Sequence, residues 1–171
     1  MITKQVFSEN EALVTDNPWA YRKRRSTELL LIHLNETWRR AIDNKLVVDA
    51  VFLDFQKTFD RVSHSILLHK LEHNFEFTGN LLAWLRDYLS EREQYTVING
   101  VHSEKTKVAH GIPQGSVLGP ILFALYTSDL PKAVNTATTF LYADDTTMYC
   151  VGESVDQVTT TLNKALEELA L

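Results

Sequence analysis

The sequence of 171 residues contains a single cysteine, Cys150, and no long hydrophobic run. One cysteine excludes an intrachain disulfide and a zinc site built from several thiolates. The longest apolar candidate, VLGPILFALY, contains Gly119 and Pro120 and is shorter than the roughly 20 residues of a membrane-spanning helix. The first residues also lack the apolar core of a secretory signal. We therefore expect an intracellular protein, in the cytoplasm, the nucleus or both, without membrane contact.

Glycine, proline and excess positive charge are also scarce. Six glycines and four prolines do not favour long disordered segments. The net charge of −5 argues against a protein that binds nucleic acid only through a basic surface. An enzyme acting on nucleic acid can still be acidic if its carboxylates hold cations. The length and the 44% hydrophobic content fit one domain with a substantial core.

Hydrophobic periodicity predicts helices and strands in alternation. Residues 27–43 have helical spacing behind a cap at Ser26 or Thr27, and residues 46–55 have the β-branched and aromatic content of a central strand. Asn99-Gly100 between two alternating runs predicts a hairpin. The pattern also predicts two short strands around a tight turn in residues 140–151, and further helices in residues 63–75, 80–91, 117–130 and 154–170. This order is typical of a mixed α/β or an α+β sheet with helices on one face.

Three carboxylates interrupt the predicted strands. Asp54 ends the run VFLDF, and Asp144 and Asp145 lie at the centre of FLYADDTTMYC. Taken alone, an Asp pair at a hairpin tip is more often a turn than a catalytic site. Three acids from different strands would repel one another unless cations were bound. Two Mg²⁺ ions about 3.5–4 Å apart would offset that repulsion and could promote an in-line phosphoryl displacement.

Three segments in a fixed order resemble the palm motifs of reverse transcriptases, in the form found in non-LTR (LINE-type) retrotransposons. They are FLDFQKTFD (52–60), GIPQGSVLGP (111–120) and LYADD (141–145). An upstream segment, YRKRRSTELLLIHLNETWRRAIDN (21–44), is similar to the fingers segment of that group. The resemblance covers residues 17–171, so it extends over nearly the whole chain.

The resemblance implies an α+β fold with a polymerase palm and part of the fingers. The palm would be a ferredoxin-like antiparallel sheet with helices on one face. We expect residues 1–20 to be an irregular N-terminal segment and residues 21–171 to be the fingers and palm, truncated before the thumb. A polymerase without a thumb should hold primer and template weakly, because phosphate contacts supply much of the affinity.

The resemblance also implies a role for each acid. Asp54, Asp144 and Asp145 would be the catalytic metal ligands, with Asp144 the closer member of its pair, and the backbone carbonyl of Phe55 would also face a metal. Two Mg²⁺ ions are expected, with Mn²⁺ as an alternative. Together they would align the primer 3′-hydroxyl with the α-phosphate of the incoming deoxynucleotide.

Four further residues match positions that bind the nucleotide in the family. Phe59 would exclude a ribose 2′-hydroxyl, although without the motif it would be interpreted as a core aromatic. Gln114 and Gly115 belong to a loop that would approach the nucleotide, and Arg22 would contact the triphosphate. The family usually has a small residue where this chain has Arg24.

Three other residue types receive non-catalytic roles. Ser116 is predicted to cap the helix that follows residues 111–115, here called the motif loop. Asp60 is expected to organise the turn after the strand rather than to bind metal. The six histidines show no metal-ligand pattern, so packing or surface positions are expected for them.

The resulting functional hypothesis is an RNA-directed DNA polymerase that uses an RNA template, a DNA primer and deoxynucleoside triphosphates. The alternative is a truncated, inactive or co-opted remnant that acts at most as a noncatalytic binding module. A metal-dependent phosphatase or nuclease with the same acids is a third alternative, and the order of the motifs argues against it. The sequence predicts no oligomeric state.

Overall fold

A computed structural model describes residues 19–20 and 24–170 of the chain. This part of the chain divides into two compact units. The sheet unit contains the described residues up to Gln56 and those from Thr127 onward, and the helical unit is Lys57–Tyr126. The predicted division into residues 1–20 and 21–171 stays a prediction, since residues 1–18 lie outside the described part.

The elements alternate between helices and strands, as predicted. In chain order they are α1 (Thr27–Asp43), β1 (Val47–Asp54), a short 3₁₀ helix (Phe59–Arg61), α2 (His64–His73), α3 (Gly79–Leu89), β2 (Glu93–Gln94), β3 (Val97–Ile98), β4 (Val101–His102), β5 (Thr106–Lys107), α4 (Gly119–Thr127), α5 (Leu130–Ala133), β6 (Thr138–Tyr142), β7 (Asp145–Gly152) and α6 (Val155–Ala170). Over the described residues, no helix is both long and apolar enough to cross a bilayer.

The sheet unit is built on three antiparallel strands in the order β1-β7-β6. The β1–β7 register runs from Val47 opposite Gly152 to Asp54 opposite Asp145. The prediction that residues 46–55 form a central strand was wrong, because β1 lies at one edge of this sheet and β7 is central. The central position suits β7, since its residues 146–150 are all buried and so cover both faces of the strand.

Both faces of this sheet carry a helix. On one face, Leu30 and Leu34 of α1 pack with Phe140 and Tyr149. On the other face, Met148 and Cys150 pack with Val158, Leu162 and Ala165 of α6. The predicted α+β class is confirmed. Helices were expected on one face of the sheet only, but they cover both. The reason is that β7 presents apolar side chains on both faces, and each face is buried only if a helix packs on it.

In the helical unit, α2 and α3 bury their apolar faces. The buried side chains are Leu67 and Leu71 of α2 and Leu82, Leu85 and Leu89 of α3. Beyond them, β2 pairs with β5 and β3 pairs with β4. The predicted hairpin is confirmed at Asn99 and Gly100, whose φ angles of 50° and 79° are both left-handed, as a type I′ turn requires.

The helix predicted over residues 117–130 is confirmed as α4 but is shorter, because it ends at Thr127 and a separate helix, α5, begins at Leu130. Ser116 caps α4 as predicted, because its hydroxyl accepts a 2.9 Å hydrogen bond from the Gly119 amide. The chain leaves the helix after Thr127, and α5 begins next to Asp129 with Pro131 in its first turn. Pro131 cannot continue an α-helix from α4, since it has no amide hydrogen and its ring clashes with the preceding turn.

Glu168 of α6 stabilises the segment that leads into β6. Its carboxylate oxygen Oε2 accepts hydrogen bonds from the amides of Asn135 and Thr136 at 2.8 and 3.3 Å, and from the Thr136 hydroxyl at 3.1 Å. These bonds, led by the Asn135 amide, lower the pKa of the Glu168 carboxyl. A lowered pKa means that the folded state binds a proton less readily than the unfolded state, so folding is favoured while the carboxyl is ionised.

We therefore expect Glu168→Gln to lower the midpoint of thermal unfolding at pH 7. The difference from wild type should shrink as the pH falls below the ordinary carboxyl pKa of 4.5 and through the lowered value. Thermal unfolding followed by circular dichroism from pH 7 to pH 3 measures it, with Glu167→Gln on the same helix as the matched control. A difference that is the same at pH 7 and pH 3 would contradict the assignment.

Candidate active site

The last pair of the β1–β7 ladder brings two carboxylates together. Asp54, the final residue of β1, lies directly opposite Asp145, the first residue of β7. Opposed residues of an antiparallel pair project from the same face, with Cβ atoms about 4.5–5.5 Å apart. Both residues are exposed. Two like charges in this position destabilise the pair, and a bound cation would reverse that effect.

Asp144 lies in the turn beside this pair. Tyr142 of β6 is opposite Asp145 of β7, so Ala143 and Asp144 form a two-residue hairpin loop. Ala143 has a φ of 55°, a left-handed conformation that costs an L-residue about 1–2 kcal/mol. A positive φ at the first loop position alone is the φ pattern of a type II′ turn. The short loop fixes the register, and with it the position of Asp145 at the start of β7.

The strands behind the acids are well packed. Residues Thr146–Cys150, which follow Asp145, are buried, and Met148 is 0% exposed. Tyr142 packs against the Leu30 and Leu34 cluster. The acids therefore stand at the exposed end of a buried framework, which fixes the positions of the two strand ends.

The structure pairs two of the three predicted acids and does not group all three. Among residues 19–20 and 24–170, no three His, Cys, Asp or Glu side chains are arranged as a metal-binding group. Asp54 and Asp145 by themselves fit Mg²⁺, which prefers oxygen donors and is often held by one or two carboxylates with waters and substrate phosphates. Asp144 belongs to the turn, so strand pairing does not fix the direction of its side chain. Phe55 directly follows Asp54 and is partly buried.

In the helical unit, the motif loop is hydrogen-bonded to the segment that follows β1. The amides of Gly111 and Ile112 donate to the carbonyls of Val62 and Phe59, each at 2.8 Å. Gly111 has a φ of 92°, and a Cβ at that position would lie 2.9 Å from the carbonyl oxygen of Asp60. Only glycine fits here, because both the backbone conformation and the close approach exclude a side chain.

The three predicted nucleotide-binding residues that the structure describes have distinct surroundings. The Phe59 ring is partly buried and stacks on Phe123, with centroids 4.4 Å apart and planes at 23°. Gln114 is exposed, and its Nε2 donates a 2.9 Å hydrogen bond to Oδ1 of Asp60. Gly115 has a φ of 76°, and a Cβ there would have nothing within 4 Å, so the backbone conformation is what favours glycine.

The predicted triphosphate ligand, Arg22, lies outside the described residues. Near it in the sequence, Arg24 has a left-handed φ of 60°, a backbone conformation that favours glycine over residues with a Cβ. The guanidinium of Arg25 lies 4.7 Å from the centroid of the Trp19 ring, a cation–π contact.

The sequence did not indicate two contacts of the motif loop. The Asp60 carboxylate binds Gln114, 54 residues further along the chain, although Asp60 was predicted only to organise a turn. His64, predicted to pack or face solvent, forms a 2.7 Å hydrogen bond through Nε2 to the Gly111 carbonyl. Local periodicity carries no signal for such contacts, since each joins segments that are distant in sequence.

Comparisons with known proteins support the family that the order of the motifs indicates. The model of the family described as reverse transcriptase (RNA-dependent DNA polymerase) matches residues 2–171. The chain is 35% identical to the RNA-directed DNA polymerase from mobile element jockey of Drosophila melanogaster, over 74% of this chain and 14% of that protein. It is 34% identical to the probable RNA-directed DNA polymerase from transposon BS of the same fly, over 70% of this chain and 13% of that protein. The chain therefore spans only a small part of the relatives that it matches.

Solved structures show the same fold. The apo telomerase of Candida tropicalis, truncated from its C-terminal domain, superposes with a TM-score of 0.71 and 12% identity, over 99% of this chain and 36% of that chain. The telomerase of Candida albicans gives a TM-score of 0.62 and 14% identity, over 95% of this chain and 30% of that chain. The predicted α+β polymerase fold and the kinship with non-LTR retrotransposons are confirmed. The chain belongs to the reverse transcriptase (RNA-dependent DNA polymerase) family.

Proposed function

We propose that this chain is the fingers-and-palm part of an RNA-directed DNA polymerase from a non-LTR retrotransposon. It would extend the 3′-hydroxyl of a DNA primer with deoxynucleotides on an RNA template. The observation that carries the proposal is the direct opposition of Asp54 and Asp145 at the end of the β1–β7 ladder. A bound cation would offset the repulsion between two facing carboxylates, and phosphoryl transfer to a primer uses such cations.

The chain's own residues supply the seat for divalent cations. Asp54 and Asp145 would hold Mg²⁺ through carboxylate oxygens, Asp144 would add a third carboxylate from the turn, and Phe55 would offer its backbone carbonyl. Two Mg²⁺ ions are proposed, with Mn²⁺ as an alternative. When bound, such ions neutralise charge on the reacting phosphates and favour ionisation of the attacking hydroxyl. Asp54 and Asp145 would hold such ions at a fixed position, because the ladder fixes the two strand ends.

Four residues are proposed to contact the nucleotide, three of them in the helical unit. The Phe59 ring is suited to exclude a 2′-hydroxyl because its stack on Phe123 restricts its orientation. Gln114 would contact the nucleotide near its sugar, and Gly115 would let the backbone approach it. Arg22 is proposed for the triphosphate on the strength of the motif alone. Within the cell, the proposed place of action is the cytoplasm, the nucleus or both.

A noncatalytic remnant remains the second candidate, and the left-handed backbone of Arg24 favours it. At a position where the family usually has a small residue, a side chain strains the turn close to Arg22. The two candidates differ in one property, since only the polymerase adds nucleotides to a primer.

The test is primer extension on an RNA template under single-turnover conditions, with the chain in excess so that weak binding of primer and template does not limit the reaction. We expect Mg²⁺-dependent extension by wild type and a loss of about a hundredfold or more in Asp144→Asn, because a metal ligand becomes a neutral amide. Asp43→Asn, an exposed acid at the end of α1, is the control and should extend as wild type does. Equal extension by wild type and Asp144→Asn would contradict the site assignment, and no extension at any Mg²⁺ or Mn²⁺ concentration would favour the remnant.

A further inference from the structure

We propose that Asp60 is a positioning residue that holds the side-chain amide of Gln114 in one orientation and thereby sets the affinity for the incoming deoxynucleotide. This inference rests on the nucleotide contact proposed for Gln114. It extends that proposal to a residue that the sequence assigned only to a turn.

The first observation is the hydrogen bond between the two side chains. Nε2 of Gln114 donates to Oδ1 of Asp60 at 2.9 Å. An ionised carboxylate only accepts hydrogen bonds, so it selects the nitrogen end of the amide. The carbonyl end, Oε1, and the second N–H are not used by this bond. A free glutamine amide can present either end, and the carboxylate removes that ambiguity.

The second observation is that other contacts hold the backbone around Asp60 against the loop that leads to Gln114. The Gly111 and Ile112 amides bond to the carbonyls of Val62 and Phe59 at 2.8 Å on either side of Asp60. The α-carbon of Gly111 lies so close to Asp60 that a Cβ on the glycine would be 2.9 Å from the Asp60 carbonyl oxygen. These contacts keep the two backbone segments adjacent, which brings the Asp60 and Gln114 side chains within reach of each other.

A third contact joins the same two segments at the start of α2. His64 Nε2 lies 2.7 Å from the Gly111 carbonyl oxygen, which can only accept, so Nε2 carries the proton. Ser63 and His110 form an isolated antiparallel bridge next to it. Residues 59–64 and 110–114 thus form one hydrogen-bonded block, with the Asp60–Gln114 bond as its exposed member.

Because the Asp60–Gln114 bond is exposed, its loss should change the orientation of Gln114 without much change in the stability of the fold. Both side chains face solvent, where an intramolecular hydrogen bond replaces bonds to water and adds little to folding. The backbone bonds of the block do not involve the Asp60 carboxylate. A substitution of that carboxylate should therefore leave the fold intact and change how Gln114 meets its ligand.

The test is a titration of deoxynucleotide in steady-state primer extension. We expect Asp60→Ala to raise the apparent KM for the deoxynucleotide about threefold to tenfold while kcat changes by less than about twofold. Asp60→Asn keeps an acceptor oxygen and should lie closer to wild type. Gln114→Ala should raise KM as well, and Asp60→Ala should add no further increase in the Gln114→Ala background, because the two residues act through one contact. Asp87→Ala, an exposed acid of α3, is the control.

A second readout follows the contact without activity. In the ¹⁵N spectrum, Asp60→Ala should shift the side-chain amide resonances of Gln114, identified by their loss in Gln114→Ala. An unchanged Gln114 resonance, or KM effects of the two substitutions that multiply in the double variant, would overturn the positioning role. A shifted resonance together with a normal KM in Gln114→Ala would show instead that the contact exists and that the proposed function of Gln114 has failed.

Discussion

Asp54→Asn is expected to reduce Mg²⁺-dependent primer extension by about a thousandfold or more. The substitution removes one of the two carboxylates that face each other at the end of the β1–β7 ladder. A bound metal contributes several kcal/mol of transition-state stabilisation, and each 1.36 kcal/mol is about a tenfold change in rate. Single-turnover extension on an RNA template measures the loss, because it separates the chemical step from weak binding of the primer.

The matched control is Asp49→Asn, which makes the same chemical change on the same strand. Asp49 is opposite Cys150, five residues from Asp54 along β1, and should leave extension near the wild-type rate. In Mg²⁺-free buffer, Asp54→Asn should unfold at the same urea concentration as wild type or slightly higher, since cross-strand repulsion worth about 0.2–1 kcal/mol is removed. A rate for Asp54→Asn within a few fold of that for Asp49→Asn would contradict the role of Asp54.

Phe59→Ala is expected to lower the preference for deoxynucleotides over ribonucleotides by about tenfold to a hundredfold. The proposed reason is steric, since a partly buried ring fixed by its stack on Phe123 leaves no room for a 2′-hydroxyl. Removing the ring should also lower the free energy of unfolding, because the stack is lost. Competing extension with matched deoxynucleotides and ribonucleotides gives the ratio of the two kcat/KM values.

Phe123→Leu is the control that separates packing from selection. Phe123 is 1% exposed, so its substitution should also destabilise the chain. It keeps the Phe59 side chain, and the sugar preference should remain much closer to that of wild type than in Phe59→Ala. Equal loss of preference in both variants would assign the effect to packing, and an unchanged preference in Phe59→Ala would exclude the steric role.

Local elements were predictable from the sequence where one segment carries all the information. The helix over residues 27–43 was predicted with the bounds that α1 has, because an apolar stripe and a capping residue, Ser26, act within the segment. The Asn99-Gly100 turn was predictable for the same reason, since both residues tolerate left-handed backbone.

Pairing between distant segments was not predictable in the same way. The runs that became β1 and β7 are both apolar and β-branched, so composition does not say which is central. The order β1-β7-β6 follows from pairing across more than 90 residues of chain. The helices on both faces follow from that order, since the central strand exposes two apolar faces that must both be covered.

Only the part of the candidate site that the motifs contain was predictable from the sequence. Their order predicted that Asp54 and the Asp144-Asp145 pair would converge, and the register confirms this for Asp54 and Asp145. The grouping of all three acids stays a prediction, because the direction of a turn side chain depends on its ligand as much as on the backbone. The bond from Asp60 to Gln114 had no signal in the sequence, since it joins two exposed side chains from separate segments.

The central claim is that the paired carboxylates of β1 and β7 hold a divalent cation, and Mg²⁺ titration by calorimetry tests it most directly. The wild-type chain, Asp54→Asn, Asp145→Asn and the control Asp49→Asn would be titrated under identical conditions without nucleic acid. We predict saturable Mg²⁺ binding by wild type and Asp49→Asn. In each of the other two variants, the Mg²⁺ affinity should be at least about tenfold weaker. Equal Mg²⁺ affinity in all four proteins would contradict the claim.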